Sequence, residues 1–196
     1  LAGIIVCGLF GAMNGFFVAY MEVPAFVATL AGMTIARGFA YVYSDGKPYT
    51  LNSPKFRIIG QGMAPIIIFL VIVLICHVVL SKMKFGRYIY ATGGNIKAAN
   101  ASGVNTKKIL MKVYILAGVL SGIAGIVLAS RTNSGQPAVG TGFETDAIAA
   151  AVIGGTSMTG GIGTIPGTLV GILIIGTLNN SLNLLNVSSY YQQIIK

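Results

Sequence analysis

The chain has 196 residues, of which 55% are hydrophobic and only 9% are charged. Its mean hydropathy is +0.82. Because soluble domains carry roughly a quarter charged residues, this composition excludes a water-soluble protein. The formal net charge of +9 is unevenly placed, since seven of the thirteen Lys and Arg residues lie between Lys82 and Lys112 with no acid among them. A basic segment between apolar tracts is the positive-inside pattern of membrane proteins, and it disfavours nucleic acid as a partner.

Four tracts of the chain are free of charged residues, and each is long enough to hold a helix that crosses a hydrocarbon core about 30 Å thick. They cover residues 1–21, 58–81, 113–130 and 147–195. Placing the basic segment, residues 81–112, in the cytoplasm sets the direction of every span. The predicted spans then run inward over 1–20, outward over 25–43, inward over 63–80 and outward over 113–130.

The tract after residue 146 allows two interpretations. Residues 147–158 are apolar but few, and they meet a glycine-rich break at 159–164. They form either a short span, after which 165–182 returns outward, or a re-entrant half-helix, which a membrane tolerates where protein buries it. We favour the short span. The sequence therefore predicts an all-α polytopic transmembrane helix bundle with roughly six to seven spans in this chain.

Small residues recur at helical spacing within the predicted spans. The pairs are Gly11 with Gly15, Gly118 with Gly122, and Gly167 with Gly171. In lipid, this spacing lets helix backbones approach closely. We therefore expect one packed bundle, a single transmembrane domain over 1–196. The chain starts at Leu1 inside an apolar tract and stops at Lys196 where a further segment opens, so we expect it to be truncated at both ends.

The basic segment contains the signals of a short helix. Asn95 can cap a helix N-terminus, and Gly103 can supply the left-handed residue after its end, which predicts a two-turn helix over 96–102. Asn105 or Thr106 then caps the next span. Such a helix between two spans is suited to transmit force from a cytoplasmic partner. On local features alone, an ordinary loop helix with solvated lysines is the alternative.

The order of several short tracts carries a resemblance to a known family. The tract Arg-Tyr-Ile-Tyr-Ala-Thr-Gly-Gly-Asn at 87–95, followed by Ala-Ala at 98–99 and Ser-Gly-Val-Asn at 102–105, resembles the cytoplasmic loop of the permeases of ribose, galactose and xylose ABC importers. The same family's pattern is matched at 24–30, 36–38, 136–137, 140–144, 146–150, 154–157, 160–161 and 178–185. With 187–192 added, the chain is most similar to the ribose-type members, and the resemblance covers essentially its whole length.

This resemblance implies a multi-pass protein of the bacterial cytoplasmic (inner) membrane, with about ten spans when complete. It implies the membrane-spanning subunit of an ATP-binding-cassette importer that translocates a monosaccharide, with ribose as the first candidate. The implied partners are a cytoplasmic ABC ATPase that holds ATP and Mg, an extracytoplasmic sugar-binding protein, and a second permease subunit that forms a homodimer in the lipid bilayer. The chain itself would be a transport subunit without a cofactor, not an enzyme.

By the same resemblance, contact with the ATPase is expected in a cytoplasmic coupling loop over residues 81–112. The residues expected to make or shape this contact are Gly94, Asn95, Lys97, Ala98, Ala99, Ser102 and Gly103. The sequence has no phosphate-binding loop of the pattern Gly-x-x-x-x-Gly-Lys-Ser/Thr, which agrees with ATP being bound on another chain.

The alternative from a different class is an ion-coupled secondary transporter of a small polar solute, which would need buried carboxylates to carry protons or sodium. All four acids fall at predicted span ends or in loops, which disfavours this function. They are Glu22, Asp45, Glu144 and Asp146. An intramembrane enzyme is disfavoured because the single histidine, His77, has no credible catalytic partner. Cys7 and Cys76 lie far apart in apolar runs without metal-ligand spacing, so we expect no metal site.

Three residues are candidates for the translocation path. Arg37 lies inside a predicted span, where a charge is a functional candidate by default, although it can instead snorkel to the outer surface. Asn179 and Asn183 share one helical face with Asn186, so their amides can face a passing sugar or, alternatively, bond neighbouring helices.

Three further residues on the predicted outer side are candidates for docking the sugar-binding protein: Arg131, Gln136 and Glu144. For Glu144 we favour another role, because it precedes an apolar run together with Asp146. Acids at that position stabilise a helix N-terminus through the helix dipole.

Overall fold

The computed structural model describes residues 1–51, 53–188 and 191–192, apart from the side chains of 54 and 55. The regular secondary structure of the described part is helical except for one short antiparallel ladder, in which Tyr49 pairs with Gly135 and Thr50 with Ser134. The helices are α1 (Ala2–Ala19), α2 (Ala25–Ser44), α3 (Pro54–Arg57), α4 (Ala64–Lys82), α5 (Lys84–Gly94), α6 (Ile96–Ala101), α7 (Thr106–Thr132), α8 (Phe143–Ile153) and α9 (Ile165–Leu184). A single 3₁₀ turn, Ile58–Gly60, follows α3, and the ladder strands are β1 (Tyr49–Thr50) and β2 (Ser134–Gly135). Residues 189–190 of the predicted family tract 187–192 lie outside the described residues.

Within the described residues, five helices are long and apolar enough to cross a membrane: α1, α2, α4, α7 and α9. This confirms the predicted all-α polytopic fold. The spans begin and end close to the predicted positions except that α7 starts at Thr106, seven residues before 113. The reason is the capping residue Asn105, which starts the helix before its apolar part begins.

The predicted short span over 147–158 is wrong, because α8 has only 11 residues, Phe143–Ile153. At 1.5 Å per residue this helix is about 16 Å long, roughly half the thickness of a hydrocarbon core. The helix ends where Gly154 caps it and Gly155 takes a φ of +85°, a conformation that glycine adopts without strain. The expected six to seven spans are therefore five in the described residues, and the length of α8 fits the re-entrant alternative.

The described residues fall into two compact units. The first consists of Leu1–Ile75 with Ile96–Val139, and the second of Cys76–Asn95 with Gly140–Lys196.

In the first unit, α1 and α7 pack along glycine faces. A Cβ on Gly11 would collide with the carbonyl of Tyr114, and one on Gly118 would collide with the carbonyl of Cys7. A Cβ on Gly122 would lie 2.9 Å from the Cα of Ile4, closer than side-chain carbons approach. The small residues of these two helices therefore bring the backbones together, as their spacing predicts.

The first unit also contains the loop between α2 and α4. Ser130, near the end of α7, is fully buried, and its hydroxyl donates to the carbonyl of Phe56 in α3 at 2.5 Å. Gly60 lies against the backbone of Arg131, where a Cβ would collide. Together with the β1–β2 ladder, these contacts hold the loop against the C-terminal end of α7.

In the second unit, α8 and α9 form a tight antiparallel hairpin. Ala150 is 2% exposed and its carbonyl lies where a Cβ of Gly171 would be. Gly154 and Gly167 face each other in the same way, since a Cβ on either would collide with the other's carbonyl. Glycine is required at these positions because the two backbones touch, which sets the register of the hairpin.

Candidate functional site

The helix α6 lies at the centre of the predicted coupling loop, over Ile96–Ala101, one residue shorter than predicted. Gly103 follows it with a φ of +83°, which confirms its predicted left-handed conformation. Asn105 caps α7, because its side-chain oxygen accepts from the backbone N–H of Lys108 at 3.0 Å. Of the two predicted caps, Asn105 is thus the one used.

A second asparagine braces the turn between α6 and α7. The side-chain oxygen of Asn100 accepts from the hydroxyl of Thr106 at 2.8 Å. Thr106 is only 2% exposed and Ala99 only 5%. The backbone N–H of Val104 donates to the carbonyl of Ala99 at 3.0 Å. These hydrogen bonds and the buried methyl group of Ala99 hold α6 against the turn that leads into α7.

The predicted coupling residues divide into exposed and buried positions. Those exposed are Gly94, Asn95, Lys97, Ala98, Ser102 and Gly103. Ala99 is buried, so its side chain packs within the chain and is withheld from any partner. Of the exposed positions, Lys97, Ala98, Ser102 and Gly103 belong to the first unit, and Gly94 and Asn95 belong to the second. All except Lys97 are uncharged, and most have small side chains, so a protein partner can approach the backbone closely.

In the second unit, α5 packs against the glycine loop, which we define as residues 154–164 between α8 and α9. The hydroxyl of Tyr90 donates to the carbonyl of Gly163 at 2.6 Å. One helical turn later, Gly93 lies against Gly160 and Gly161, and a Cβ on Gly93 would be 2.6 Å from the Gly161 nitrogen. No local sequence pattern predicts that Tyr90 and Gly163 meet.

The hairpin places one of the predicted path residues beside an acid. The side-chain amide of Asn179 donates to the carboxyl of Asp146 at 3.2 Å. The amide oxygen of Asn179 is buried and has no hydrogen-bond partner in the described part of the chain. A buried amide oxygen is costly unless a donor reaches it, so this position can accept a hydrogen bond from a hydroxyl group.

The other two asparagines have different surroundings. The side-chain oxygen of Asn183 accepts from the amide of Gln192 at 2.9 Å. Asn186 does not share their helical face, because α9 ends at Leu184 and Asn186 has a φ of +52°. The predicted three-asparagine face is therefore wrong at Asn186, since the helix stops before it.

Arg37 lies within α2 and is half-buried in the described chain. Neither ion pair found among the described residues involves it, since these join Lys47 to Asp45 and Lys107 to Glu22. Arg37 is seven residues from Ser44, the last residue of α2, which is about 10 Å along the helix. Both predicted interpretations of Arg37 fit this position.

The three predicted docking residues are all exposed. Gln136 donates to the hydroxyl of Ser134 at 3.1 Å, and Glu144 accepts from the backbone N–H of Gly142 at 3.1 Å. Glu144 thus supports the N-terminus of α8, in agreement with the favoured interpretation. Arg131 is in the last turn of α7, where a cation also suits the helix dipole.

Comparison with known proteins identifies the family. The family described as the branched-chain amino acid transport system / permease component matches residues 1–196. The chain belongs to this permease family. No solved structure matches it.

Sugar permeases are among the similar curated proteins. The ribose import permease protein of Haemophilus influenzae is 47% identical over 96% of this chain and 61% of its own length. That of Bacillus subtilis is 48% identical over 93% of this chain and 59% of its own. The L-arabinose transport system permease protein of Escherichia coli is 41% identical over 94% of this chain and 58% of its own length. The chain thus spans about six tenths of the length of these relatives, and the family places it among multi-pass membrane transport components.

Two residues of this permease chain were not singled out for the roles that the structure suggests. For Asp146 the prediction is a helix-dipole role, with docking of the sugar-binding protein as the alternative, yet it also bonds Asn179. Tyr90 was part of a family tract without a role of its own. Both contacts depend on which helices pack together, and only the repeated glycines of 154–171 signalled a close approach there.

Proposed function

We propose that the protein to which this chain belongs is the membrane-spanning subunit of an ATP-binding-cassette importer of the bacterial cytoplasmic membrane, and that it carries ribose. The observation that supports this most strongly is the 47–48% identity to ribose import permease proteins over nearly the whole chain. The L-arabinose relative, at 41%, supports a monosaccharide as the substrate class. A second permease subunit completes the path as a homodimer.

The exposed residues around α6 are proposed to bind a cytoplasmic ATPase, which holds ATP and Mg. Those residues are Gly94, Asn95, Lys97, Ala98, Ser102 and Gly103, with Ala99 fixing the helix from its buried side. Small exposed side chains leave the backbone accessible, so a partner surface can come close to it. When the ATPase closes, the displacement of α6 reaches the spans through its short connections to α5 and α7.

The sugar path is proposed to include Asn179, whose buried amide oxygen can accept a bond from a sugar hydroxyl. Asn183 and Arg37 are proposed as further polar positions on this path. An uncharged sugar needs hydrogen-bonding groups, which suits these side chains. On the outer side, Arg131, Gln136 and Glu144 are proposed to contact an extracytoplasmic sugar-binding protein.

Transport by the reconstituted complex tests this proposal. The full-length permease, its cognate ATPase and its binding protein are placed in liposomes, and uptake of labelled ribose, arabinose, xylose and galactose is measured with and without ATP. We expect ATP-dependent uptake with ribose preferred, and we expect that uptake to persist when ionophores dissipate ion gradients. Uptake that needs an ion gradient and ignores ATP would contradict the proposal and favour a secondary transporter.

A further inference from the structure

The contact between α5 and the glycine loop joins two parts of the chain that are distant in sequence. Tyr90 and Gly163 are 73 residues apart, and the hydroxyl of Tyr90 donates to the Gly163 carbonyl at 2.6 Å. Tyr90 is half-buried, so water does not fully surround this bond. A hydrogen bond shielded from water is stronger and more directional than an exposed one.

The same face of α5 touches the loop through backbone atoms. Gly93 is three residues after Tyr90 and therefore lies on the same side of the helix. A Cβ on Gly160 would be 2.6 Å from the Gly93 oxygen, and one on Gly161 would be 2.8 Å from the Cα of Gly94. Gly160 and Gly161 also have φ values of +93° and +76°, which L side chains rarely adopt. The loop is thus shaped to fit against α5.

The loop leads directly into α9. Gly163 is followed by Thr164, whose side-chain oxygen accepts from the backbone N–H of Gly167 and so caps that helix. Gly154 and Gly167 then hold α8 against α9 by backbone contact. A shift of Gly163 would therefore act on the N-terminus of α9, the helix that carries Asn179.

The contact has room to rearrange. A cavity of about 380 Å³ borders it, and its lining includes Leu80, Ile89, Tyr90, Gly163 and Thr168. The cavity leaves part of the Tyr90 side chain without packing neighbours, so this side of the contact resists displacement less than a close-packed one would.

We propose that Tyr90 is a positioning residue for transport, which couples the displacement of α5 to the α8–α9 hairpin through the Gly163 carbonyl. Gly94, the last residue of α5, is itself one of the residues proposed to bind the ATPase, so a push there acts on the helix that carries Tyr90. The inference rests on the proposed function, because it assigns Tyr90 a role only if an ATPase drives this permease.

The test compares sugar uptake with ATP hydrolysis in the same liposomes. Tyr90→Phe in the full-length permease keeps the ring and removes the hydroxyl. We expect sugar carried per ATP to fall at least about five-fold, a typical size for lost coupling between sites, while ATP hydrolysis and assembly with the ATPase stay near wild type. Tyr88→Phe is the matched control, because Tyr88 is on the same helix and 42% exposed. It is expected to behave as wild type.

A second variant tests the same contact from the backbone side. Gly93→Ala inserts a methyl group against Gly161 and should lower sugar carried per ATP in the same way. Gly176→Ala is its control, since a Cβ on Gly176 meets nothing within 4 Å. The inference is overturned if Tyr90→Phe keeps the wild-type ratio, or if uptake, hydrolysis and assembly all fall together, as in a purely structural defect. If wild-type liposomes show no ATP-driven uptake, the proposed function itself fails.

Discussion

The helix pairs α1–α7 and α8–α9 are both packed through glycine, but they differ in what lies beside the glycines. Along α1–α7, backbone meets backbone or apolar side chains, as at Gly118 against Cys7. Along α8–α9, the close approach at Gly171 is accompanied by the polar pair Asp146 and Asn179.

We infer from this difference that the α1–α7 pair supports the fold and that the α8–α9 pair carries a functional site. Apolar glycine packing stabilises a membrane bundle without offering anything to a polar solute. Burying a polar group is costly unless it is bonded, so buried polar pairs in a membrane protein are candidates for a function. Each pair has a buried amide oxygen without a hydrogen-bond partner in the described residues, on Asn14 of α1 and on Asn179 of α9, but of these two amides only Asn179 also bonds a carboxylate. We therefore expect changes in α1–α7 to affect stability and changes in α8–α9 to affect transport.

The largest effect is expected from breaking the α1–α7 contact. Gly118→Leu forces a side chain into the Cys7 backbone and should lower the free energy of unfolding by about 3 kcal/mol, the upper range for overpacking. Equilibrium unfolding of the full-length permease in mixed micelles measures this. Gly125→Leu is the control on the same helix, because Gly125 is exposed and should change stability by less than about 0.5 kcal/mol. If both variants lost the same free energy of unfolding, the glycine contact between α1 and α7 would not be what stabilises the protein.

A smaller effect, on transport, is expected from Asn179→Leu. It removes the bond to Asp146 and the unpartnered amide oxygen together. Because a hydrogen bond to a charged group contributes about 1.5–3 kcal/mol, uptake should fall about ten-fold or more at unchanged expression. The control is Asn180→Leu at the neighbouring exposed position. If Asn179→Leu took up sugar at the wild-type rate, Asn179 would not be part of the sugar path, and the α8–α9 hairpin would have only a structural role, as α1–α7 has.

A third effect concerns whether the unit that contains α1 and α7 also binds a partner. Ala98 is exposed on α6, while its neighbour Ala99 is buried. Ala98→Glu should weaken binding of the ATPase about ten-fold, equivalent to about 1.4 kcal/mol, without changing the stability of the permease. Lys47→Ala, an exposed change of equal charge on the predicted outer side, is the control. A pull-down titration of the ATPase measures both variants, and equal binding would contradict the coupling role of α6.

Sequence patterns predicted the parts of this fold that depend on local signals. The span positions followed from charge-free tracts, and the turn at Gly103 and the cap at Asn105 followed from residue type. The spacing of the glycines in α1 and α7 predicted a close contact, because helices in lipid gain little by burying large apolar side chains against each other.

The rest depended on packing that no local pattern reveals. The apolar tract continues to 158, but α8 ends at Ile153, where Gly154 caps it and also lies against Gly167 of α9. Likewise, the bond between Asp146 and Asn179 joins residues 33 positions apart, so it exists only once the hairpin has closed. Residue type indicated which side chains could belong to the site, but only the packing of α8 against α9 showed that Asp146 and Asn179 meet.

The smallest effect is expected at one end of the α1–α7 pair, where polar contacts also occur. It tests whether burial is what distinguishes the polar contact of α8–α9. Lys107 lies 3.7 Å from the carboxylate of Glu22 and 5.9 Å above the ring of Tyr20. The two charged side chains are 50% and 80% exposed, so water screens their attraction. Glu22→Gln should therefore change the free energy of unfolding by less than about 1 kcal/mol and leave uptake unchanged. If Glu22→Gln reduced uptake as strongly as Asn179→Leu, polar contacts would matter irrespective of their burial, and the distinction between scaffold and site would fail.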